Sequence, residues 1–184
     1  MGHRSTTELE AGLDVVRASP ADGGRVDLIV CRPAPGERQM LEEAVLDVVE
    51  GLVGDNWRTR GSSRTDDGAA HPGMQLTLMN ARAAELVAGT HDRWALAGDQ
   101  LFVDLDLSEA SLPAGTRLEI GTAVVEISAE PHTGCKKFAA RFGRDAARFV
   151  NLPEGRALRL RGVNARVVVS GTVRPGDAVH HATV

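Results

Sequence analysis

Short apolar segments separated by glycine and proline turns constrain the fold of this chain more than any other feature. The clearest pair, residues 117–120 and 123–129, flanks a Gly121-Thr122 turn in the manner of a β-hairpin. The other predicted strands cover residues 26–31, 74–79, 100–107, 157–161 and 166–173, with a short last strand after Gly176-Asp177. These segments do not alternate regularly with helices, as the strands of a doubly wound sheet would. We therefore predict a mainly β fold with inserted helices, built as a barrel-like, mostly antiparallel sheet.

Three stretches have helical character. Apolar residues recur at helical spacing from Glu37 to Glu50, a second helix begins after the capping residue Asn80, and a third covers residues 136–150. Residues 1–24 are predicted to form a polar N-terminal arm that is loose, with at most one helical turn, and residues 25–184 a single domain. The polar, glycine-rich stretch over residues 58–73 is predicted to be a surface loop.

Composition excludes several classes of partner. A net charge of −4 and an aromatic content of 3% give no basis for binding nucleic acid by charge or by stacking. Two cysteines are too few for a disulfide framework, and no apolar run reaches the length of a membrane span. The first residues lack the apolar core of a secretory signal. We expect a cytoplasmic protein with neither nucleic-acid nor membrane partners, in an oligomeric state that the sequence does not reveal.

Chemistry is concentrated around Cys135, which lies where a strand ends and a helix begins. The only two lysines of the chain, Lys136 and Lys137, directly follow it, whereas the other 19 basic residues are arginines. Unpaired N–H groups at a helix start and neighbouring positive charges both favour a thiolate. Gly134 allows a tight turn and is expected to leave room beside the sulfur. A buried, inert thiol is the alternative, but two ammonium groups beside the cysteine argue against it.

The other candidates for chemistry are the histidines and the second cysteine, Cys31. His132 is either a base or orienting donor for the thiol, or a polar residue that closes a loop. Cys31 ends an apolar strand and is expected to pack in the core. Zinc binding is disfavoured because there is no CxxC pair and the histidines are scattered. His180-His181 is expected to be a solvated tail, and the sequence around Cys135 does not match a papain-like protease.

Three segments resemble the MOSC domain family, named for the C-terminal domain of molybdenum cofactor sulfurase. They are EGLVGD at residues 50–55, AGDQLFV at 97–103 together with LPAGTRLEIG at 112–121, and HTGCKKF at 132–138. They follow the order found in the family and cover roughly residues 26–178. The resemblance implies a β-barrel and a cysteine that either ligates molybdenum or carries sulfur. Asp55 and Asp99 are expected to serve turns and the backbone more than chemistry.

The resemblance also implies a site. Cys135 would be the molybdenum ligand and, with His132 and Lys136, a catalytic residue. The phosphate and oxygens of a molybdopterin need cationic partners. Candidates for these contacts are Arg58, Arg60, Arg64, Lys136, Lys137 and Arg141. The implied reaction is the reduction of N-hydroxylated small molecules, with electrons from a separate reductase.

Two alternatives stay open at this stage. Cys135 could instead carry a persulfide, received from a separate cysteine desulfurase and delivered to a metal cofactor, or the barrel could bind some other small anion without catalysis. The chain is too short for the pyridoxal-phosphate domain of sulfurases, so pyridoxal phosphate is not expected in this chain. The loop over residues 58–73 has no clear counterpart in the family pattern.

Overall fold

Eleven strands, seven α-helices and two 3₁₀ turns make up residues 2–183, the part of the chain that the computed structural model describes. The strands are β1 (Gly24–Cys31), β2 (Gln39–Met40), β3 (Ala44–Asp47), β4 (Gly51–Leu52), β5 (Leu76–Asn80), β6 (Leu101–Asp104), β7 (Arg117–Ile120), β8 (Ala123–Ile127), β9 (Val163–Val169), β10 (Gly171–Val173) and β11 (Ala178–His181). The helices are α1 (Thr6–Ala11), α2 (Leu13–Arg17), α3 (Trp57–Arg60), α4 (Ala81–Ala88), α5 (Lys136–Phe142), α6 (Arg144–Phe149) and α7 (Pro153–Ala157), with 3₁₀ turns at Pro72–Met74 and His91–Ala97.

Seven strands close into a mixed barrel in the order β11-β7-β8-β9-β5-β6-β1, and β1 pairs back with β11. All neighbours are antiparallel except β5 and β6, which the helix α4 connects as a parallel pair. β2 extends the sheet beside β1, and β10, β3 and β4 form a small separate sheet. The predicted barrel-like, mostly antiparallel fold is confirmed.

The barrel strands have a core on each side. Inward-facing side chains such as Ile29, Leu101 and Val125 fill the barrel, and each is fully buried. Outward-facing Leu28 and Phe102 on β1 and β6 pack instead against a second core made by the helices, which contribute Phe138 and Phe142 from α5. Since successive side chains of a strand point to opposite faces, each of these strands is apolar on both. The second core fixes α5, and with it Cys135, against the barrel.

The N-terminal segment is not the loose arm predicted for it. Residues 6–17 form α1 and α2, and Ser5 and Glu8 make a capping box at the start of α1. Leu9, Leu13 and Val16 recur at helical spacing and are buried in the second core. The prediction failed because these three apolar residues are few among polar neighbours, although their spacing gives one apolar face.

Two other predicted elements are wrong. The helix expected over residues 37–50 is instead β2, β3 and a turn that leads to β4, and in β3 Ala44 and Leu46 alternate with more exposed neighbours as in a strand. The strand expected over residues 157–161 is the end of α7 and a turn, in which Arg159 has a positive φ of 47°. Both segments could be misread because short apolar patterns fit a helix and a strand almost equally well.

The stretch predicted as one strand over residues 166–173 forms β9 and β10, which belong to different sheets, and the predicted loop over residues 58–73 begins within α3. Other predicted elements match the structure closely. Asn80 caps α4 by accepting a hydrogen bond from Ala83 N at 2.9 Å, and Gly89 ends the helix in the left-handed region. The helix predicted over residues 136–150 is present but broken at Gly143, whose φ is 92°, into α5 and α6. Within residues 2–183, no helix is long and apolar enough to cross a bilayer.

Candidate functional site

Cys135 is the N-cap residue of α5 and has an exposed side chain. Its backbone is extended (φ −112°, ψ 178°), and its carbonyl accepts the first helical hydrogen bond from Ala139 N at 3.0 Å. The sulfur itself makes no capping hydrogen bond. The thiol is therefore held at a fixed point of the backbone while it stays available for chemistry, as the sequence predicted for this joint.

His132, three residues earlier, points into the protein instead of toward solvent. Its Nδ1 lies 3.5 Å from Oδ1 of the fully buried Asp99. Burial, followed by the positive charge of Arg161, lowers the pKa of His132 to about 3, and Asp99 offsets only part of this shift. The imidazole is therefore neutral near neutral pH. A base this weak suits an orienting role better than proton abstraction.

Two buried arginine–carboxylate pairs frame the site. Asp55 binds Arg32 through two parallel hydrogen bonds, 2.8 Å from Nε and 2.9 Å from the terminal nitrogen. Asp99 accepts a 2.5 Å hydrogen bond from Arg161, which also donates to Ala97 O at 2.9 Å. Asp55 does serve the backbone as expected, accepting from the amide of Arg32. The main role of both aspartates, however, is to compensate a buried arginine, which the sequence did not reveal.

A cavity of about 240 Å³ lies between these pairs and the thiol. Its lining includes Cys135, His132, Asn56, Asn164 and six cationic side chains, Arg32, Arg38, Arg60, Lys137, Arg141 and Arg161. Among residues 2–183, no carboxylate belongs to the lining. Because Asp55 and Asp99 already compensate Arg32 and Arg161, the other four cations carry the uncompensated charge. This cavity, which we call the cationic cavity, is suited to an anion.

Two of the uncompensated cations, Arg38 and Arg141, are oriented by carbonyl groups, and within residues 2–183 neither has a carboxylate partner. Arg38 donates to Ala95 O at 3.2 Å and Arg141 to Leu96 O at 2.6 Å, so both guanidinium groups are oriented by carbonyl groups. Burial, and then repulsion by Arg141 and Arg32, lowers the pKa of Arg38. Burial also lowers the pKa of Arg60, with Arg32 as the next cause. An anion in the cavity would relieve this crowding of like charges.

The structure brings together five of the eight predicted site residues. Cys135, His132, Arg60, Lys137 and Arg141 all line the cationic cavity. Three others, Arg58, Arg64 and Lys136, lie outside it. Arg58 pairs with Glu50, Arg64 pairs with Glu130 at 3.0 Å, and Lys136 is exposed on another face of α5. Their predicted contacts with a cofactor have no support in this geometry.

Sequence reasoning missed Arg32, Arg38 and Arg161, because no local pattern connects these three arginines with Cys135. A signal was nevertheless present in the two glycine–aspartate turns, Gly54-Asp55 and Gly98-Asp99, since each aspartate is the partner of one of the buried arginines. Cys31 is buried in the barrel core, and burial, with Asp55 as the second cause, raises its pKa. The prediction that Cys31 is a packing residue is confirmed.

The buried imidazole predicts a pH dependence of stability. In the unfolded chain His132 takes up a proton below about pH 6.5, whereas in the folded protein it does so only near pH 3. Between these values the unfolded state binds more protons, so this group lowers the free energy of unfolding by about 1.4 kcal/mol for each unit that the pH falls. Denaturant unfolding measured across this range should show a shallower slope for His132→Gln than for wild type and for the surface control His91→Gln. Equal slopes for all three proteins would contradict the assignment.

Comparison with known proteins places this geometry in a family. The model of the MOSC domain matches residues 68–180, more than half of the chain and including the cysteine segment. The fold is similar to the YuaD protein of Bacillus subtilis, with 16% identity, a TM-score of 0.60, and coverage of 87% of this chain and 97% of that one.

Two further structures have similar folds. YiiM of Escherichia coli is 20% identical, with a TM-score of 0.55 and coverage of 87% and 70% of the two chains. YiiM of Geobacillus stearothermophilus is 15% identical, with a TM-score of 0.57 and coverage of 87% and 75%. No curated protein matches the sequence. At these identities the structural likeness shows the fold, and the family match over residues 68–180 shows that the chain belongs to the MOSC domain family.

Proposed function

We propose that this protein binds the molybdenum cofactor with Cys135 as the metal ligand and reduces N-hydroxylated small molecules. The observation that carries the proposal is the position of the exposed Cys135 thiol in the cavity lining. Among the residues that the structure describes, this lining has six cations and no carboxylate. The MOSC family is generally associated with molybdenum cofactor binding. A thiolate is a soft ligand, and the surrounding cations match an anionic, phosphate-bearing cofactor.

The residues present fit that cofactor. Arg38, Arg60, Lys137 and Arg141 provide donors for a phosphate without competing carboxylates. Asn56 and Asn164 also line the cavity, and their buried amide oxygens have no hydrogen-bond donor among residues 2–183. Within the described residues, no group of three or more His, Cys, Asp or Glu side chains is arranged to hold a metal. One thiolate from the protein therefore suits a metal that arrives with its other ligands.

The reaction needs positioning, electrons and protons. When bound, the cofactor supplies a metal centre capable of two-electron transfer and oxygen-atom transfer. Reduction of R–NHOH to R–NH₂ and water consumes two electrons and two protons, and we propose that the electrons come from a separate reductase. Cys135 anchors the cofactor, and the four uncompensated cations bind its anionic part. Neutral His132, whose Nδ1 lies 3.5 Å from Asp99, contributes to the wall of the cavity beside the thiol.

A second candidate function rests on the exposure of Cys135. An exposed thiol is accessible to another protein, and a persulfide on it would be stabilised as an anion by the same cations. In this alternative a cysteine desulfurase loads sulfur onto Cys135, and the chain delivers it to a metal cofactor. The sulfur carrier would then release its cargo, whereas the reductase would keep molybdenum through purification.

Elemental analysis together with pterin fluorescence tests the proposal. Protein produced in a host that makes the molybdenum cofactor, in medium with molybdate, is expected to contain close to stoichiometric molybdenum and a fluorescent pterin after purification. Intact-mass measurement after incubation with a cysteine desulfurase and cysteine tests the alternative on the same preparation. Protein that stays free of molybdenum after reconstitution, and gains one sulfur on Cys135, would replace the first function with the second.

A further inference from the structure

We propose that Asn151 is a positioning residue for Cys135: its side-chain amide fixes the backbone of Gly134 and thereby holds the thiol in the cationic cavity. The inference rests on the proposed role of Cys135 and adds a residue to the site that lies 16 positions away in the sequence. Asn151 follows α6 and does not itself line the cavity. It acts on the thiol only through the backbone.

The amide of Asn151 binds both polar groups of a single peptide residue. Its Oδ1 accepts a hydrogen bond from Gly134 N at 3.1 Å, and its Nδ2 donates to Gly134 O at 3.0 Å. The same Nδ2 donates to Ala147 O in α6 at 2.8 Å, which orients the amide from behind. Only a side chain with a donor and an acceptor side by side can make this pair of contacts, so asparagine suits the position chemically.

Gly134 permits the close approach. A Cβ atom at this position would lie 2.9 Å from Asn151 Nδ2 and 2.9 Å from Val150 Cγ2. Asn151 and Val150 therefore occupy the space beside Gly134 that was predicted to be open beside the sulfur. The glycine allows α6 and its following residue to pack directly against the chain that precedes the cysteine.

This contact restrains the end of the cysteine loop that is next to the thiol. The residues between Pro131 and Gly134 belong to no helix or strand, and within residues 2–183 their backbone makes no hydrogen bond other than those to Asn151. The break at Gly143 turns α6 back along α5, and this turn brings Asn151 to the loop. One side chain therefore fixes the end of the loop from which the thiol projects.

The test compares how fast two reagents alkylate Cys135 in cofactor-free protein. Iodoacetate is an anion and iodoacetamide is neutral, so the ratio of their rate constants reports the positive charge around the sulfur. Peptide mapping by mass spectrometry separates Cys135 from Cys31. Asn151→Ala is expected to lower the ratio by about threefold or more, because the freed thiol is no longer held in the lining that it shares with the cations. Gly134→Ala, which pushes the amide away through side-chain contacts, should lower the ratio in the same direction.

Asn80→Ala is the matched control for a general loss of stability. Asn80 is buried, and its side chain, like that of Asn151, makes three hydrogen bonds: it accepts from Ala83 N and donates to Leu105 O and Ser19 Oγ. It lies outside the cationic cavity. The Asn80→Ala substitution is expected to leave the ratio of the two alkylation rate constants unchanged. A wild-type ratio in both Asn151→Ala and Gly134→Ala would overturn the inference. Since the measurement uses no molybdenum, a failure to bind the cofactor leaves this result standing and is detected separately.

Discussion

Asp99→Asn is expected to lower the free energy of unfolding by about 3–5 kcal/mol, one of the two largest effects expected for this protein. The Asp99 side chain is fully buried, and its Oδ2 accepts a 2.5 Å hydrogen bond from the similarly buried Arg161. The substitution keeps the size of the side chain but leaves the guanidinium charge without compensation in the interior. Chemical denaturation of the two proteins at neutral pH measures the difference.

A matched surface pair and a second substitution make this prediction specific. Glu43 and Arg174 also form an ion pair, but both side chains are half exposed, so Glu43→Gln should cost less than about 1 kcal/mol. Combining Asp99→Asn with Arg161→Gln removes both charges and should recover part of the loss, which a double-mutant cycle quantifies. An Asp99→Asn protein that is as stable as Glu43→Gln would show that the buried pair is not needed.

The same pair connects stability with the site. Arg161 lies over the ring of Phe138 at 5.0 Å, and Phe138 is the buried anchor of α5 immediately after the two lysines. Asp99 also faces His132. Loss of the carboxylate therefore affects both sides of Cys135 at once, through the helix that follows it and through the loop that precedes it.

The parts of the fold that could be predicted are those that depend on residues close together in the sequence. Turn glycines, a helix cap at Asn80 and alternating strands are local, and the elements that they define were found correctly. The segment over residues 37–50 failed because Val45, Val48 and Val49, although apolar, are about half exposed, so they add apolar positions that mimic a helical face. The strand conformation of β3 depends on its pairing with β10 and β4, and the pairing with β10 joins residues far apart in the sequence.

The site was predictable to the same limited extent. Cys135 and Lys137 are local in sequence and were found, whereas Arg32 and Arg38, between β1 and β2, and Arg161, before β9, reach the cavity from two other places in the chain. Lys136 is next to Cys135 in the sequence but does not line the cavity, because the side chains of consecutive helical residues point about 100° apart. Arg58 lies in α3 with Arg60, and Arg64 lies in the loop that follows, yet each is engaged by a glutamate outside the cavity. The charge of a residue does not show whether its side chain points into the cavity or away from it.

Cys135→Ser is expected to abolish retention of molybdenum, with at least a tenfold lower content of molybdenum per chain than wild type, because even loss of groups that only support a metal ligand costs about 10–100-fold in affinity. A serine hydroxyl stays protonated near neutral pH and is a hard, weak ligand, whereas a thiolate is a strong, soft one. Elemental analysis of the two proteins, purified side by side from the same host, measures the loss. Cys31→Ala, which removes the other and buried thiol, should keep the wild-type content.

The position of Cys135 in the helix separates this effect from a loss of folding. Cys135 is the N-cap of α5 and makes no side-chain capping bond, whereas serine is among the preferred N-cap residues. Cys135→Ser should therefore be as stable as wild type, or more stable by up to about 1 kcal/mol in the absence of cofactor. A cysteine at a position where serine suits the helix better indicates that the sulfur is present for chemistry. If Cys135→Ser bound wild-type amounts of molybdenum, Cys135 would not be the ligand, and the cationic cavity alone would have to retain the cofactor.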